Sequence, residues 1–338
     1  MKNKGHILFI GTRFFGIEEQ LITKFEELGY TVDFFADRPS QNAWLKGLSK
    51  INPILTVAVD NYYLKRIITS TNKNHYDKIF VLNGKIVNQK FLKKMKEIFS
   101  ESEFIYYTYD SLKLYPNSLK NLEYYDRKYT FDYRDADEIE GLTLLPLFYN
   151  KKIIDKAQKI NDLDIDLLSV CTAHPNRYKL IKEIFPKLKS KKIKIFSYLY
   201  LNKLQFIYNK FFIKDFKNSK CSEFHFSPLS EEKNYDLLLS TKAVFDVEHS
   251  GQTGLTMRTI ETVGFNKKLI TTNKSISKYN FYNSNNIFIL EENVSLSKLV
   301  EFINSPISNI PLEIYDQYEI TKFVETLVGS VKVGDYLR

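Results

Sequence analysis

The sequence predicts an α/β protein built from two doubly wound halves with a helical tail. Three observations predict it. Short apolar runs that close on a turn residue alternate with segments of helical period, and such alternation builds a parallel sheet with right-handed crossovers. The alternation breaks around "TLLPLFYN" and then restarts. The length, 338 residues, suits two domains of ordinary size.

Each element follows from its local pattern. "HILFIG" is an apolar run ending in Gly11, a buried strand. In "GIEEQLITKFEELG", Ile17, Leu21, Ile22, Phe25 and Leu28 recur at helical spacing and Gly29 stops the helix. "YTVDFFADRP" is a second strand with Asp37 at its end. "DKIFVLNGK" and "EFIYYTYDS" are later strands flanking a lysine-rich helix. "KYTFDYRDADEIEGLTLLPLFYN" gives a strand, an acidic helical turn and an extended segment holding Pro146, the approach to a domain boundary. "DIDLLSVCTAHPNRYKLIKEIF" restarts the scheme, and "KKIKIFSYLYL" is another strand. "VFDVEHSGQTGLTMRTIETVGFNKKLITTN" supplies strand, helix and strand, with the strand over Val244–Val247. "NNIFILEE" and "LSKLVEFINSP" add one of each, and the tail from Pro311 is helical. The expected division is 1–148, on the acceptor side, and 149–338, on the nucleotide-binding side, two Rossmann-like domains facing a central cleft, with the tail helix free to pack back on the first domain.

Composition narrows the class. With 43% hydrophobic and 26% charged residues the chain is globular. No run of about 18 apolar residues occurs, so no membrane span is expected. The apolar run of "MKNKGHILFIG" is too short for a signal peptide, which points to the cytoplasm. Cys171 and Cys221 lack a CxxC spacing and are expected to be reduced and structural. The formal net charge of +9 is partly a Lys, Asn, Ile, Tyr and Phe bias, so it informs only where it clusters.

Chemistry concentrates after Val247. A strand end delivers Glu248, His249, Ser250, Gly251 and Gln252, and a helix is expected to open near Thr253–Gly254. Unpaired N–H groups and the positive dipole end make such a start an anion site. Gly254 allows close approach to a phosphate, and Thr253 and Thr256 offer hydroxyls. Glu261 lies three residues past Arg258 on the same face. A helix that meets a diphosphate at its start can meet an attached ribose one turn on, where a carboxylate accepts from two hydroxyls. The spacing equally allows an ordinary surface i,i+3 ion pair.

"DVEHSGQTGLTMRTIETVGFNKKLITTN" resembles the carboxyl-domain signature of bacterial GT-B glycosyltransferases, more narrowly a CgeB-like group encoded with capsule and lipopolysaccharide O-antigen genes. "YTFDYRDADEIEGLTLLPLFY", "SVCTAHPNRYKLI" and "PLS" carry the resemblance further, over nearly the whole chain. It implies transfer of a sugar from a nucleotide sugar to a growing glycan, with Glu261 on the ribose and Gln252, Thr253, Gly254 and Arg258 at the diphosphate. The retaining pattern Glu-x-Phe-Gly-x4-Glu would want an acid at 253 and Gly at 256. This chain has Thr253 and Thr256, so a retaining mechanism is not implied.

Further candidates surround this block. His174, Asn176 and Arg177 follow the strand "DLLSVCT", and Arg177 is a second phosphate ligand candidate. His249 can donate to phosphate or act on a hydroxyl near neutral pH. Asp37 and Asp110 each end a strand and are candidates for the base that inverting transfer requires. The first strand–helix turn, Gly11 to Gly16, is not GxGxxG, and Phe14 and Phe15 there suit packing or a sugar contact. Asp135-x-Asp137 has a metal-binding spacing common in acidic turns, and the two-Rossmann organisation speaks against a bound metal. No cofactor is expected beyond the nucleotide sugar as substrate, and no nucleic acid.

"KLKSKKIKIFSYLYLNKLQFIYNKFFIKDFK" sets nine lysines among aromatics with no acid before Asp215. It suits an anionic membrane surface carrying a lipid-linked acceptor. Lys203, Lys210, Lys214 and Lys217 would share one face if 201–217 is helical. The expectation is therefore a glycosyltransferase, cytoplasmic or peripheral at the inner membrane face. The rivals are another nucleotide-sugar enzyme of the same fold, an epimerase or phosphotransferase, and a non-catalytic assembly partner.

Overall fold

The computed structural model describes residues 4–13, 16–38, 54–160, 164–248, 252–292 and 294–338. They form two compact units, Met1–Pro146 with Ile320–Gly334, and Leu147–Glu319 with Asp335–Arg338.

In the first unit the strands are β1 (Gly5–Gly11), β2 (Tyr30–Ala36), β3 (Lys78–Leu82), β4 (Glu103–Thr108), β5 (Arg127–Thr130) and β6 (Thr143–Leu144). They lie in the order β2-β1-β3-β4-β5-β6 with every pair parallel. Leu8, Phe9, Ile10, Ile79, Val81 and Phe104 are buried, as expected of strands covered on both faces. The tail helix Ile320–Leu327 belongs to this unit. Its Phe323 ring meets Tyr107 edge-on at 4.9 Å, and Tyr129 donates its hydroxyl to the Thr326 carbonyl at 3.2 Å.

The second unit holds β7 (Ile165–Thr172), β8 (Ile195–Tyr200), β9 (Thr241–Asp246), β10 (Lys268–Thr271) and β11 (Ile287–Ile289). Their order is β11-β10-β9-β7-β8, again wholly parallel. Its core joins Leu167, Ile181, Phe185, Leu199, Phe245, Ile270 and Leu299.

Both sheets reverse their strand order once. In the first the chain passes from β1 to β2 and returns to β3 on the other side of β1. In the second it passes from β7 to β8 and returns to β9 on the other side of β7. The connections leave in opposite directions at these two points, which opens a crevice at the carboxyl ends of the strands and makes it the usual ligand position of such sheets.

Three local expectations need correction. The strand expected over Val244–Val247 is Thr241–Asp246, because the Val247 carbonyl leaves the ladder for the Arg177 side chain. The helix expected to open near Thr253–Gly254 begins at Met257, because Thr256 caps it by accepting from the Thr259 N–H at 3.0 Å. Residues 201–217 are not one helix: the helix is Lys203–Phe212, Ile213 turns extended at φ −108° and ψ 119°, and a short 3₁₀ turn covers Lys214–Phe216. Lys203, Lys210, Lys214 and Lys217 therefore do not share a single helical face.

Gly264, the last residue of the Met257–Gly264 helix, permits a close approach. A Cβ there would lie 2.6 Å from Cγ and 2.7 Å from Cβ of Tyr149. Tyr149 is buried, its N–H donates to the Tyr318 carbonyl at 2.9 Å and its hydroxyl to the Tyr315 carbonyl at 3.2 Å. The root of an anchored ring cannot swing aside. Gly264→Ala is expected to lower stability by about 1–3 kcal/mol through overpacking. Urea unfolding checks this: the midpoint should fall with the slope unchanged.

Candidate functional site

The site begins with a buried carboxylate. Asp246 ends β9 and is almost inaccessible. It accepts from the hydroxyl of Thr256 and from that of Thr259 at 3.1 Å. Thr256 in turn caps the helix Met257–Gly264. One acid thereby fixes the strand end to the first helical turn. From the other side Asn273, beyond β10, donates its side-chain amide to the Thr253 and Gly254 carbonyls, each at 3.2 Å. The loop holding Gln252, Thr253 and Gly254 is thus braced ahead of the helix start, and Gly254 is buried.

Arg258 stands in the first turn of that helix. Its Nη2 donates to Asn234 Oδ1 at 2.8 Å, and its Nη1 lies 3.1 Å from Glu261 Oε2. Its Nε has no acceptor among the described residues. The Arg258 and Glu261 side chains are only 16% and 11% exposed, so this is not an ordinary surface pair. Tyr235 donates its hydroxyl to the other Glu261 oxygen at 3.1 Å. Burial pushes the Glu261 carboxyl up, while the Arg258 charge and the Tyr235 hydrogen bond pull it down, and the net direction is up. Asn234 and Tyr235 lie on the helix Glu231–Leu239, and nothing in the sequence marked them as partners of a site more than twenty residues on.

The reversal of strand order between β7 and β9 brings Arg177 to the same place. Arg177 is in the first turn of the helix Pro175–Ser190. Its Nε donates to the Val247 carbonyl at 2.5 Å and its Nη1 to the Thr172 carbonyl at 3.5 Å, tying the ends of β7 and β9 together. Cys171 senses the convergence: burial raises its thiol, Asp246 raises it further, and Arg177 and Arg258 both lower it. His174 sits at the N-cap position of this helix.

Glu248 is the residue that the structure brings forward. It is half-buried just past β9, and its N–H donates to Thr272 Oγ1 at 3.3 Å. Burial, and then the Asp246 charge, push its carboxyl up to about 7. A carboxyl poised near neutrality can take or release a proton at working pH. The acid of "VFDVEH" was visible in the sequence, but its burial beside Asp246 was not. His249, the adjacent candidate, lies outside the described residues, as do Phe14 and Phe15.

In the first unit Asp37 and Asp110 both reach Lys85, just past β3. Asp37 is fully buried: it accepts from the Thr12 hydroxyl at 2.5 Å and the Lys85 N–H at 3.2 Å, and Arg38 lies 3.6 Å from its second oxygen. This is a staple across strand ends. Asp110 is more accessible, accepting from Asn83 at 3.0 Å and facing Lys85 Nζ at 3.1 Å. Burial lowers Lys85, but Asp110 and Tyr115 outweigh it and hold the ammonium above its ordinary value. Asp135 accepts from the Ser111 hydroxyl at 3.1 Å and the Leu112 N–H at 2.6 Å, so its oxygens are engaged in the fold. Among the described residues no three His, Cys, Asp or Glu side chains come together as a metal site.

No known family matches the chain by sequence, and no curated protein sequence matches it. Solved structures do. HepE of Anabaena, solved with UDP and glucose, is 12% identical with a TM-score of 0.60, covering 96% of this chain and 99% of its own. The lipopolysaccharide outer core galactosyltransferase WaaB, in its apo form, is 13% identical with a TM-score of 0.55, covering 96% and 99%. A UDP-N-acetylglucosamine 2-epimerase assignment from Listeria monocytogenes is 9% identical with a TM-score of 0.52, covering 98% and 99%. These likenesses establish the fold: two parallel-sheet α/β units in tandem, as in GT-B glycosyltransferases.

The raised carboxyl of Glu248 has a thermodynamic signature. Its folded value, about 7, lies above the ordinary 4.5, so within that window the folded chain keeps a proton that the unfolded chain has lost. The contribution of this group to stability therefore falls as pH rises through the window. Glu248→Gln is expected to flatten the decline of Tm between those pH values and to raise Tm above them. Parallel wild-type and variant melting curves across the window would contradict the placement of Glu248.

Proposed function

We propose that this chain is a glycosyltransferase that moves a sugar from a nucleotide-sugar donor to a growing cell-surface glycan of the capsule or lipopolysaccharide type. The observation that carries the reading is the buried Arg258–Glu261 pair in the first turns of a helix at the carboxyl edge of a parallel sheet, beside its strand-order reversal. The GT-B fold supports it, as do the UDP and glucose bound by HepE and the lipopolysaccharide substrate class named for WaaB. The CgeB-like grouping rests on the sequence pattern from Asp246 to Asn273.

In this reading the helix start and Arg258 meet the donor diphosphate. The guanidinium brings its charge to the phosphates while Asn234 and Glu261 hold its Nη2 and Nη1 in place. Glu261 accepts from the ribose hydroxyls, with Tyr235 and Arg258 sharing its two oxygens. Arg177 acts by fixing the β7 and β9 ends on which the phosphates would rest. Glu248 is the proton-handling group of this edge, with His249 beside it in sequence, and Asp110 is the more accessible acid of the first unit. No protein-bound metal is invoked, and catalysis is positioning plus stabilisation of the leaving diphosphate. An epimerase is the second reading, favoured by the Listeria neighbour. Product analysis separates the two: a transferase couples the sugar to an acceptor, whereas an epimerase returns an altered nucleotide sugar.

A thermal-shift panel of UDP, GDP, dTDP, CDP and CMP is expected to single out one nucleotide, which at 100 times its Kd adds about 2.7 kcal/mol. Absence of any shift would overturn the reading. With that nucleotide, Glu261→Ala is expected to weaken binding by about 1.5–3 kcal/mol. Arg258→Lys is expected to weaken it as well, because a point charge cannot serve Asn234, Glu261 and phosphate at once. Calorimetric titration of the folded variants measures both, and unchanged affinity in either would remove that residue from the nucleotide site.

A further inference from the structure

The helix Lys203–Phe212 turns its apolar side outward. Asn202 caps it by accepting from the Gln205 N–H at 2.8 Å. Only Phe206 and Asn209 face the protein, and the Phe206 ring packs on Phe224 and Phe226 at 5.3 and 5.7 Å. Leu204, Ile207, Tyr208, Phe211 and Phe212 are 73%, 52%, 58%, 78% and 72% exposed. At 3.6 residues per turn the first four fall within roughly a third of the helix circumference, opposite Phe206 and Asn209. A solvated helix would carry charges on that stripe. Here the outermost face is continuous hydrocarbon and aromatic ring.

We propose that this helix is a monotopic membrane anchor, lying in the plane of an anionic lipid leaflet with Leu204, Ile207, Tyr208, Phe211 and Phe212 inserted among the acyl chains. Charge complementarity selects the occupant. Lys203 at the helix start and Lys214, Lys217 and Lys220 in the segment after it are exposed, and Lys210 is half-buried with its ammonium 5.7 Å from the Phe206 ring centroid. Asp215 is the one acid in residues 201–220. A second copy docking on this face would bring the same lysines against their like, whereas anionic headgroups neutralise them. Ten residues are too few to span a bilayer, and among the described residues no helix is long and apolar enough to cross one, so the geometry is interfacial. The anchor follows the carboxyl end of β8, two places from β9 in the sheet, so it starts at the same edge of the unit as Asp246 and Glu248. On the glycosyltransferase reading, that edge is where a lipid-carried acceptor has to arrive.

The test is co-sedimentation of the full chain with vesicles of equal parts phosphatidylcholine and phosphatidylglycerol, and with phosphatidylcholine alone. Wild type is expected to pellet with the anionic vesicles only. Leu204→Ser/Phe211→Ser/Phe212→Ser is expected to reduce the apparent partition at least tenfold even at low salt, with an unchanged circular dichroism spectrum, since the three side chains are exposed. Lys203→Glu/Lys214→Glu/Lys217→Glu is expected to do the same at low salt. The proposal is overturned if the serine variant pellets like wild type, or if wild type binds no vesicle. It is also overturned if wild type binds both compositions equally, or if the face instead mediates self-association that the serine variant abolishes in sedimentation velocity. The assay needs no nucleotide, so its failure leaves the donor-site reading untouched, and failure of that reading leaves the assay unaffected.

Discussion

The second unit depends on what Asp246 does with its two hydroxyl partners. A carboxylate taken out of water must be satisfied where it lies, and Asp246 is satisfied by Thr256 and Thr259. Those two threonines belong to the first turn of the following helix, so the demand of one buried acid sets where the helix begins. Helix geometry then carries the constraint outward: Arg258 falls between the two threonines, and Glu261 follows one turn on, against Tyr235. The pair is not free to wander as a surface pair would be. Asn234, Tyr235 and each other's charges hold both side chains.

The acids of this protein sort by what they touch. Asp135 and Asp246 are buried and accept from hydroxyls and a backbone N–H, while Asp37, also buried, gives one oxygen to the Thr12 hydroxyl and the Lys85 N–H and turns the other toward Arg38; each lies at the end of a strand or the start of a helix. Glu248 differs. Only two residues past Asp246, its carboxyl rises to about 7, first through burial and then through its neighbour's charge. The same buried charge that organises the helix start thus adds to the burial that raises its neighbour.

Most of the fold was legible. The apolar runs from His6 and Asp164 and the alternation that follows each are strong periodic signals, and they became β1 and β7 with their crossovers. Strand order was not legible, because parallel pairing leaves no local trace. With it went the convergence of Arg177, Val247 and Arg258, which lie up to eighty-one residues apart in sequence. The misjudged helix start has the same origin. Thr253 and Gly254 have the composition of a helix start, and Thr256 became the cap because Asp246 and Asn273 hold the residues on either side. At Lys203–Phe212 the lysines drew attention although the aromatics carry the surface. Apolar residues nearly encircle that helix, so periodicity alone does not tell which side Phe206 buries.

The central claim is that the carboxyl edge of the second sheet, at β7 and β9, binds the nucleotide. Amide hydrogen exchange tests it most directly, with and without whichever nucleotide of the panel stabilises the chain most. The account predicts slowed exchange in peptides covering 172–178 and 252–262, with the Lys203–Phe212 helix unchanged. Slowing confined to the first unit, or to segments of the second unit away from those two, would contradict it.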